Sequence, residues 1–344
     1  MLAAPLKPGS LLFLFLISDL ASTNPLGENL KLEDGAQHRW AFNDRLPVEE
    51  SNDPSLMDDS VSLLNSNDSC DPASSDWMSA VPDDQLMSLM SIPGTHDSCA
   101  RYAWKLSKCQ TMTLPEQLNY GIRFLDIRCT VVNGTFNIHH SIISEKIDFG
   151  TVLDQCAGFL LDHPSESILM RVKQEESSVP SEEFIRIFKE YQAGRESEIY
   201  TENRIPSLGE ARGKIVILAD VSGLDGIPWD SINIQDDYNV KTLFDCGKKL
   251  DEVKAPLEKA VSDHNDGSQQ LFIDFASGAS ALAFPEAVAK QINPKLYDYL
   301  NENTCTSTCY YGIVPMDFPG EYDKGVAGLL IKRNKRKPNC ETST

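Results

Sequence analysis

From Trp77 onward the chain alternates short apolar runs with stretches of helical period, and this alternation limits the folds open to it. Residues 86–92, 124–132, 136–139, 168–172, 215–219, 232–234, 271–275 and 313–316 read as strands rich in Ile, Val, Leu and Phe. Helical segments lie between several of them. Residues 151–161 place Val152, Cys156, Phe159 and Leu160 on one face, and Ser181 stands where it would cap residues 184–191, with Glu183 in the first turn. Residues 240–264 form a longer stretch, expected to bend or break at Pro256, and residues 285–300 another, interrupted at Pro294. Strands alternating with helices predict an α/β fold with a mostly parallel sheet covered by helices. Closure into a single, irregular (β/α)8-type TIM barrel is the economical form. A doubly wound open sheet is the alternative, but no Gly-rich dinucleotide fingerprint follows the first strand.

The segment before the barrel has a different character. Residues 23–75 are rich in Asn, Asp, Ser, Pro and Glu, hold eleven acids against Lys31, Arg39 and Arg45, and show no sustained apolar period. They read as a disordered acidic linker or pro-segment, dispensable for chemistry. Residues 1–22 read as a secretory signal: Lys7, then the apolar run from Leu11 to Ile17, then Ala21-Ser22. That run is too short to span a bilayer, although an uncleaved anchor is the alternative. The division expected is therefore 1–22 signal, 23–75 linker and 76–344 catalytic barrel, in a secreted, monomeric protein.

Nine cysteines match no zinc spacing, since Cys305 and Cys309 lack a second pair or a nearby His, so disulfides with at least one thiol left over are expected. Sequons at Asn67-Asp68-Ser69 and Asn133-Gly134-Thr135 suit the same route. The formal charge of −20 argues against nucleic acid as a partner and against tight non-specific adhesion to an anionic membrane, although Lys332-Arg333-Asn334-Lys335-Arg336-Lys337 reverses the sign locally.

In a parallel barrel, chemistry sits at the C-terminal ends of the strands. His96 and Asp97 follow the first strand, Arg128 ends the second and His139-His140 the third; Lys173 and Glu175 follow the fourth, and Asp317 follows the last. Two imidazoles and a guanidinium suit phosphodiester cleavage: one imidazole takes a proton from a hydroxyl, the other protonates the leaving oxygen, and the guanidinium holds the phosphate. Carboxylates such as Asp97 and Asp317 would orient the imidazoles. Each residue alone has an ordinary structural reading, as a buried His, a helix-capping Asp or a salt-bridged Arg. Their joint placement carries the argument.

Ser91-Ile92-Pro93-Gly94-Thr95-His96-Asp97-Ser98 resembles the opening motif of the bacterial-type phosphatidylinositol-specific phospholipases C. Gly121-Ile122-Arg123-Phe124-Leu125-Asp126-Ile127-Arg128, Ile138-His139-His140, residues 163–175, residues 211–216, Ile234-Gln235-Asp236-Asp237-Tyr238 and Val314-Pro315-Met316-Asp317-Phe318 continue the resemblance in order. It implies a TIM barrel acting on an inositol phospholipid at a membrane surface, without cofactor. His96 would be the general base for the inositol 2-hydroxyl, supported by Asp317. His140 would be the general acid for the diacylglycerol leaving group, supported by Asp97. Arg128 would sit on the phosphate. Metal-dependent relatives place an acid there to hold calcium, so an arginine implies a metal-free enzyme that yields diacylglycerol and inositol 1,2-cyclic phosphate. Lys173, Glu175 and Asp236 match inositol-contacting positions, and Tyr238 matches an aromatic on which the ring stacks. Asp220 departs from the pattern, standing where the family places an arginine. Trp229 reads equally as a pocket or membrane-facing aromatic and as a half-buried loop residue. Two rival readings stay open: a catalytically silent inositol-lipid-binding barrel, and a metal-dependent phosphodiesterase of the glycerophosphodiesterase or sphingomyelinase D type.

Overall fold

The structure, a computed structural model, describes residues 74–102, 107–177, 179–303 and 309–334. The signal and acidic segments up to residue 73, the Asn67 sequon and the cysteines at 70, 305 and 340 lie outside the described residues. No described helix is long and apolar enough to cross a membrane.

The strands are β1 (Ser91–Thr95), β2 (Phe124–Val132), β3 (Thr135–His140), β4 (Ile143–Asp148), β5 (Ile168–Gln174), β6 (Ile199–Tyr200), β7 (Ile215–Asp220), β8 (Ile227–Pro228), β9 (Asn233–Gln235), β10 (Phe272–Asp274) and β11 (Gly312–Met316). Their hydrogen-bonded order is β6-β7-β5-β2-β1-β11-β10-β9, with β8 on the C-terminal half of the outer edge of β7. All pairings along this path are parallel. The fold is a TIM barrel, and an irregular one: among the described residues no pairing joins β8 to β9.

Alternation along the strands sorts side chains between lumen and shell. Phe124, Leu169, Val216 and Leu218 cluster with Ile92, Ile273, Phe275 and Ile313 in the lumen. The helices are α1 (Leu114–Tyr120), α2 (Phe149–Asp162), α3 (Ser181–Gln192), α4 (Leu208–Ala211), α5 (Cys246–Asn265), α6 (Pro285–Glu302) and α7 (Val326–Arg333). The intervening Leu125, Ile127, Met170, Val172, Ile215 and Ile217 pack outward against Phe149 and Val152 of α2 and Phe184 and Ile187 of α3. Continuing the inward parity upward gives Asp126 and Arg128 on β2, Arg171 and Lys173 on β5, and Asp220 on β7. The lumen is thus apolar below and charged at its mouth. Gly94 lets β1 approach β2, because a Cβ there would lie 2.8 Å from the Phe124 ring.

The third strand candidate is corrected. It is β3 of an antiparallel excursion, β2-β3-β4, and not a barrel strand. The cause is local: Asn133 and Gly134 both take positive φ (52° and 79°), a two-residue hairpin turn far too short for a parallel crossover. The sequon at Asn133 sits at this exposed turn.

The first strand begins at Ser91, since Met87–Leu89 is a 3-10 turn. Ser181 does not cap α3; it is the first helical residue, and the cap position is Pro180. The two internal prolines do not break their helices. α5 (Cys246–Asn265) runs through Pro256 and α6 (Pro285–Glu302) through Pro294. An internal proline costs about 3 kcal/mol, whereas each buried aliphatic side chain returns about 1.5–3 kcal/mol. Leu250, Val253 and Leu257 are buried on α5, and Val288, Ile292, Leu296 and Leu300 on α6.

Cys99, Cys109, Cys129, Cys156 and Cys246 are free, buried thiols, so disulfide pairing does not extend to them; Cys309 is disulfide-bonded. They pack as small apolar groups.

The barrel reaches at least to Ser74. Trp77 and Met78 are buried, Trp77 Nε1 donates to the Gly121 carbonyl, and the Ser75 carbonyl accepts from Arg123 at 2.8 Å. A domain boundary at residue 76 cuts this last contact.

Candidate active site

The strand order places one functional group after another around the mouth: Asp220 from β7, Lys173 and Glu175 from β5, Arg128 from β2, His96 after β1, Asp317 after β11, Phe275 after β10 and Asp236 after β9. Several of these strand ends turn through the left-handed region at non-glycine residues: Asp97 (φ 43°), Ser141 after His140 (53°), Glu176 after Glu175 (41°) and Phe318 after Asp317 (50°). Such conformations cost free energy and persist where the surroundings hold them.

His96 and His140 sit in opposite environments. The Nδ1 of His96 bonds Asp317 Oδ1 at 2.9 Å, and its Nε2 faces a donor, Arg128 Nη2, at 3.0 Å. A ring bonded in this way carries its proton on Nδ1 and keeps Nε2 free to accept one. Burial alone would lower the pKa of His96, but the charge and hydrogen bond of Asp317 outweigh it, and the imidazole lies above its ordinary value. The Nδ1 of His140 donates to the Ser107 carbonyl at 2.7 Å, and its Nε2 lies 3.2 Å from Asp97 Oδ2. Both ring nitrogens therefore face acceptors. The Asp97 contact is close but off the hydrogen-bonding direction, leaving Oδ2 buried without an aligned donor.

Arg128 is held from three sides. Its Nη2 donates to Asp126 Oδ2 at 3.0 Å, its Nε lies 3.1 Å from Asp97 Oδ1, and its Nη1 lies 3.9 Å from Glu175 Oε1. Glu175 in turn pairs with Lys173 at 2.9 Å. Burial would raise the Asp126 carboxyl, but the charges of Arg128 and Arg171 outweigh it and hold it far below the carboxylate range.

Thus His96, Asp97, Arg128, His140 and Asp317 form one connected set, with Lys173 and Glu175 adjoining it. Asp236 and Tyr238 stand apart on the exposed rim. Asp220 is met by Arg171, whose Nη2 and Nε lie 2.6 and 3.0 Å from Oδ2. Arg171 also donates to Asp126 Oδ1 at 3.3 Å and stacks 4.0 Å from the Trp229 ring. Trp229 is half-buried and, with Asp220, lines a cavity of about 470 Å³. Asp126 and Arg171 are the residues that the sequence reading missed. Their signal was the alternation itself, since both share parity with Arg128 and Lys173.

Among the described residues one group has metal-ligand chemistry: His96, Asp97 and Cys109 offer atoms within 4.8 Å of one another. The Arg128 guanidinium already lies against two of the three, which disfavours a cation there.

The family model for the phosphatidylinositol-specific phospholipase C X domain matches residues 86–220, from the approach to β1 through β7. A 1-phosphatidylinositol phosphodiesterase of Listeria monocytogenes is 33% identical over 285 residues, covering 75% of this chain and 84% of the relative. One from Staphylococcus aureus is 28% identical over 312 residues, covering 78% and 97%. The solved phosphatidylinositol-specific phospholipase C of Listeria monocytogenes superposes with a TM-score of 0.68 at 29% identity, covering 77% of this chain and 100% of that one. The Staphylococcus aureus enzyme gives 0.67 at 25%, covering 77% and 98%. By sequence and by fold, the chain belongs to the phosphatidylinositol-specific phospholipase C X-domain family.

Proposed function

We propose that the chain cleaves phosphatidylinositol, or glycosylated inositol lipids, by general acid/base catalysis without a metal. His96 Nε2 takes the proton of the inositol 2-hydroxyl, whose oxygen attacks phosphorus. The bond from phosphorus to the glycerol oxygen breaks, and His140 delivers its Nε2 proton to that oxygen. The products are diacylglycerol and inositol 1,2-cyclic phosphate, so protons and bonds balance. Arg128 neutralises charge on the phosphate, while Asp317 and Asp97 stabilise the two imidazolium forms. The observation that carries this reading is the asymmetry of the imidazoles: one keeps a lone pair beside the phosphate-binding guanidinium, and the other faces acceptors on both nitrogens. A silent binding barrel has no need of that asymmetry.

Lys173, Glu175, Asp236 and Tyr238 are assigned to the inositol ring, and Asp220 to the edge of that pocket. The membrane is met by an apolar rim. Phe244 is 99% exposed, Leu282 73% and Tyr238 59%. They lie on two loops beyond β9 and β10, joined by Ala279 N donating to the Tyr238 carbonyl at 2.8 Å and Ser280 Oγ donating to that of Lys241 at 3.0 Å. Exposed large apolar groups around a charged mouth suit insertion into a lipid surface. Secretion is consistent with the apolar N-terminal run.

Incubating the protein with phosphatidylinositol in excess chelator and identifying the water-soluble product tests the proposal. Inositol 1,2-cyclic phosphate is expected. No cleavage, or loss on chelation restored by calcium, refutes it.

A further inference from the structure

Beneath the rim that carries Asp236 and Tyr238 lies a buried lysine that no proton-transfer step uses. Lys249 on α5 is 1% exposed, and its Nζ donates to the carbonyls of Phe275 (2.7 Å) and Asp237 (3.0 Å) and to Gln235 Oε1 (3.3 Å). All three ammonium hydrogens are thereby directed. Gln235 Oε1 also accepts from the Asp237 N–H at 2.6 Å, and Gln235 Nε2 donates to Asp274 Oδ1 and to the Phe275 carbonyl. Asp274, 2% exposed, closes this network through Gln235, and burial pushes its carboxyl up to about 8. Gly278 sits flush beneath the same turn, where a Cβ would lie 2.8 Å from Val240 and 3.1 Å from the Tyr238 carbonyl.

The two points that Lys249 grips on this turn, Gln235 and Asp237, flank Asp236, and Asp237 precedes Tyr238. Its third grip, Phe275, packs edge-on against the His96 ring, with centroids 6.1 Å apart. A buried charge is expensive, and an apolar side chain of similar volume would fill the space at lower cost. A buried lysine with every donor directed calls for a geometric role. We propose that Lys249 is a positioning residue that ties the headgroup-contacting turn at residues 235–238 to the end of β10, fixing Asp236 and Tyr238 at a set distance from His96. This rests on the assignment of Asp236 and Tyr238 to the inositol ring.

The test is a mutant cycle on phosphatidylinositol. Lys249→Met keeps the volume and removes the donors, and Lys249→Gln keeps two of them. Lys249→Met is expected to raise KM about tenfold or more with kcat changed less than about threefold, and Lys249→Gln to recover part of the loss. In an Asp236→Ala/Tyr238→Ala background Lys249→Met should add less than about twofold, because its effect is transmitted through those side chains. A full multiplicative effect in that background, or a fall in kcat at constant KM, overturns the proposal. If Asp236→Ala and Tyr238→Ala themselves leave KM unchanged, the headgroup assignment falls, and this inference with it. Should Lys249→Met fail to fold, Lys249→Gln carries the same cycle.

Discussion

Asp317→Asn separates the electrostatic role of the carboxylate from its geometric one. The amide keeps the shape and can still accept from His96 Nδ1, but it carries no charge. In the structure the carboxylate meets the ring at 2.9 Å, and both side chains are largely buried. Taking charge centres about 4 Å apart at an effective dielectric near 20, an imidazolium–carboxylate pair is worth about 4 kcal/mol. A retained neutral hydrogen bond returns about 1 kcal/mol. The net loss of about 3 kcal/mol as His96 becomes protonated corresponds to roughly a hundredfold fall in kcat. The pH profile supplies a second, directional readout. On the proposed mechanism His96 is the base, so activity falls as pH drops through its pKa, which Asp317 holds above the ordinary value against the lowering effect of burial. With the charge removed, burial prevails and the acid limb moves to lower pH. The deficit is therefore largest above the limb and narrows toward acid. The assay is steady-state cleavage of phosphatidylinositol across the acid range. An acid limb that stays put or moves up in Asp317→Asn refutes the pairing as described.

Arg128→Ala should lower kcat/KM by at least about a hundredfold, and Arg128→Lys should recover only part, because a compact ammonium lacks the planar fork that meets two phosphate oxygens side by side; steady-state kinetics in chelator decide it. Phe244→Ser with Leu282→Ser should weaken cleavage of vesicular phosphatidylinositol while leaving cleavage of a soluble short-chain phosphatidylinositol within about twofold, since exposed rim residues carry no folding energy to lose; equal losses on both substrates would assign the rim elsewhere. Asp220→Arg sets a second guanidinium against the buried Arg171 and should cost about 3–5 kcal/mol of stability; an unchanged melting temperature would show that the two side chains part. A chain beginning at Asp76 should lose the Ser75 contact to Arg123 and melt a few degrees below one beginning at Ser74, from about 1–2 kcal/mol of hydrogen bonding.

Much of this site was legible because a parallel barrel turns sequence position into spatial position. A polar group just past an apolar run reaches the mouth, so the sequence alone points His96, Arg128, Lys173 and Asp317 there. His140 reaches the mouth by another route: it ends the second strand of a hairpin, and the Asn133-Gly134 turn that makes the hairpin is itself visible in the sequence. Arg171 and Asp126 were missed because they lie within strands, where a charge reads as an interruption; only alternation with their apolar neighbours points them into the lumen. Asp220 showed the limit of reading one position at a time. Taken alone it only departs from the family pattern, whereas in the fold its charge is met by a guanidinium from the neighbouring strand. Pro256 and Pro294 looked like helix ends because propensity is local, and the burial that overrides it is not.

The carboxylates and cations of the mouth alternate along a chain from Asp220 through Arg171, Asp126, Arg128 and Asp97 to His140. Each link is buried or nearly so, which makes the chain stiff, and no bulk water is needed to complete it. On the proposed mechanism Arg128 is therefore aimed before any phosphate arrives, and catalysis avoids the cost of orienting it during the reaction. The same chain separates the surroundings of the two imidazoles. Arg128 stands 3.0 Å from His96 Nε2, so that nitrogen faces a donor, whereas His140 Nε2 faces the Asp97 carboxylate at 3.2 Å. On the proposed mechanism the first setting suits a base that takes the hydroxyl proton and the second an acid that gives one to the leaving oxygen, so two identical side chains are given different roles by what stands beside them.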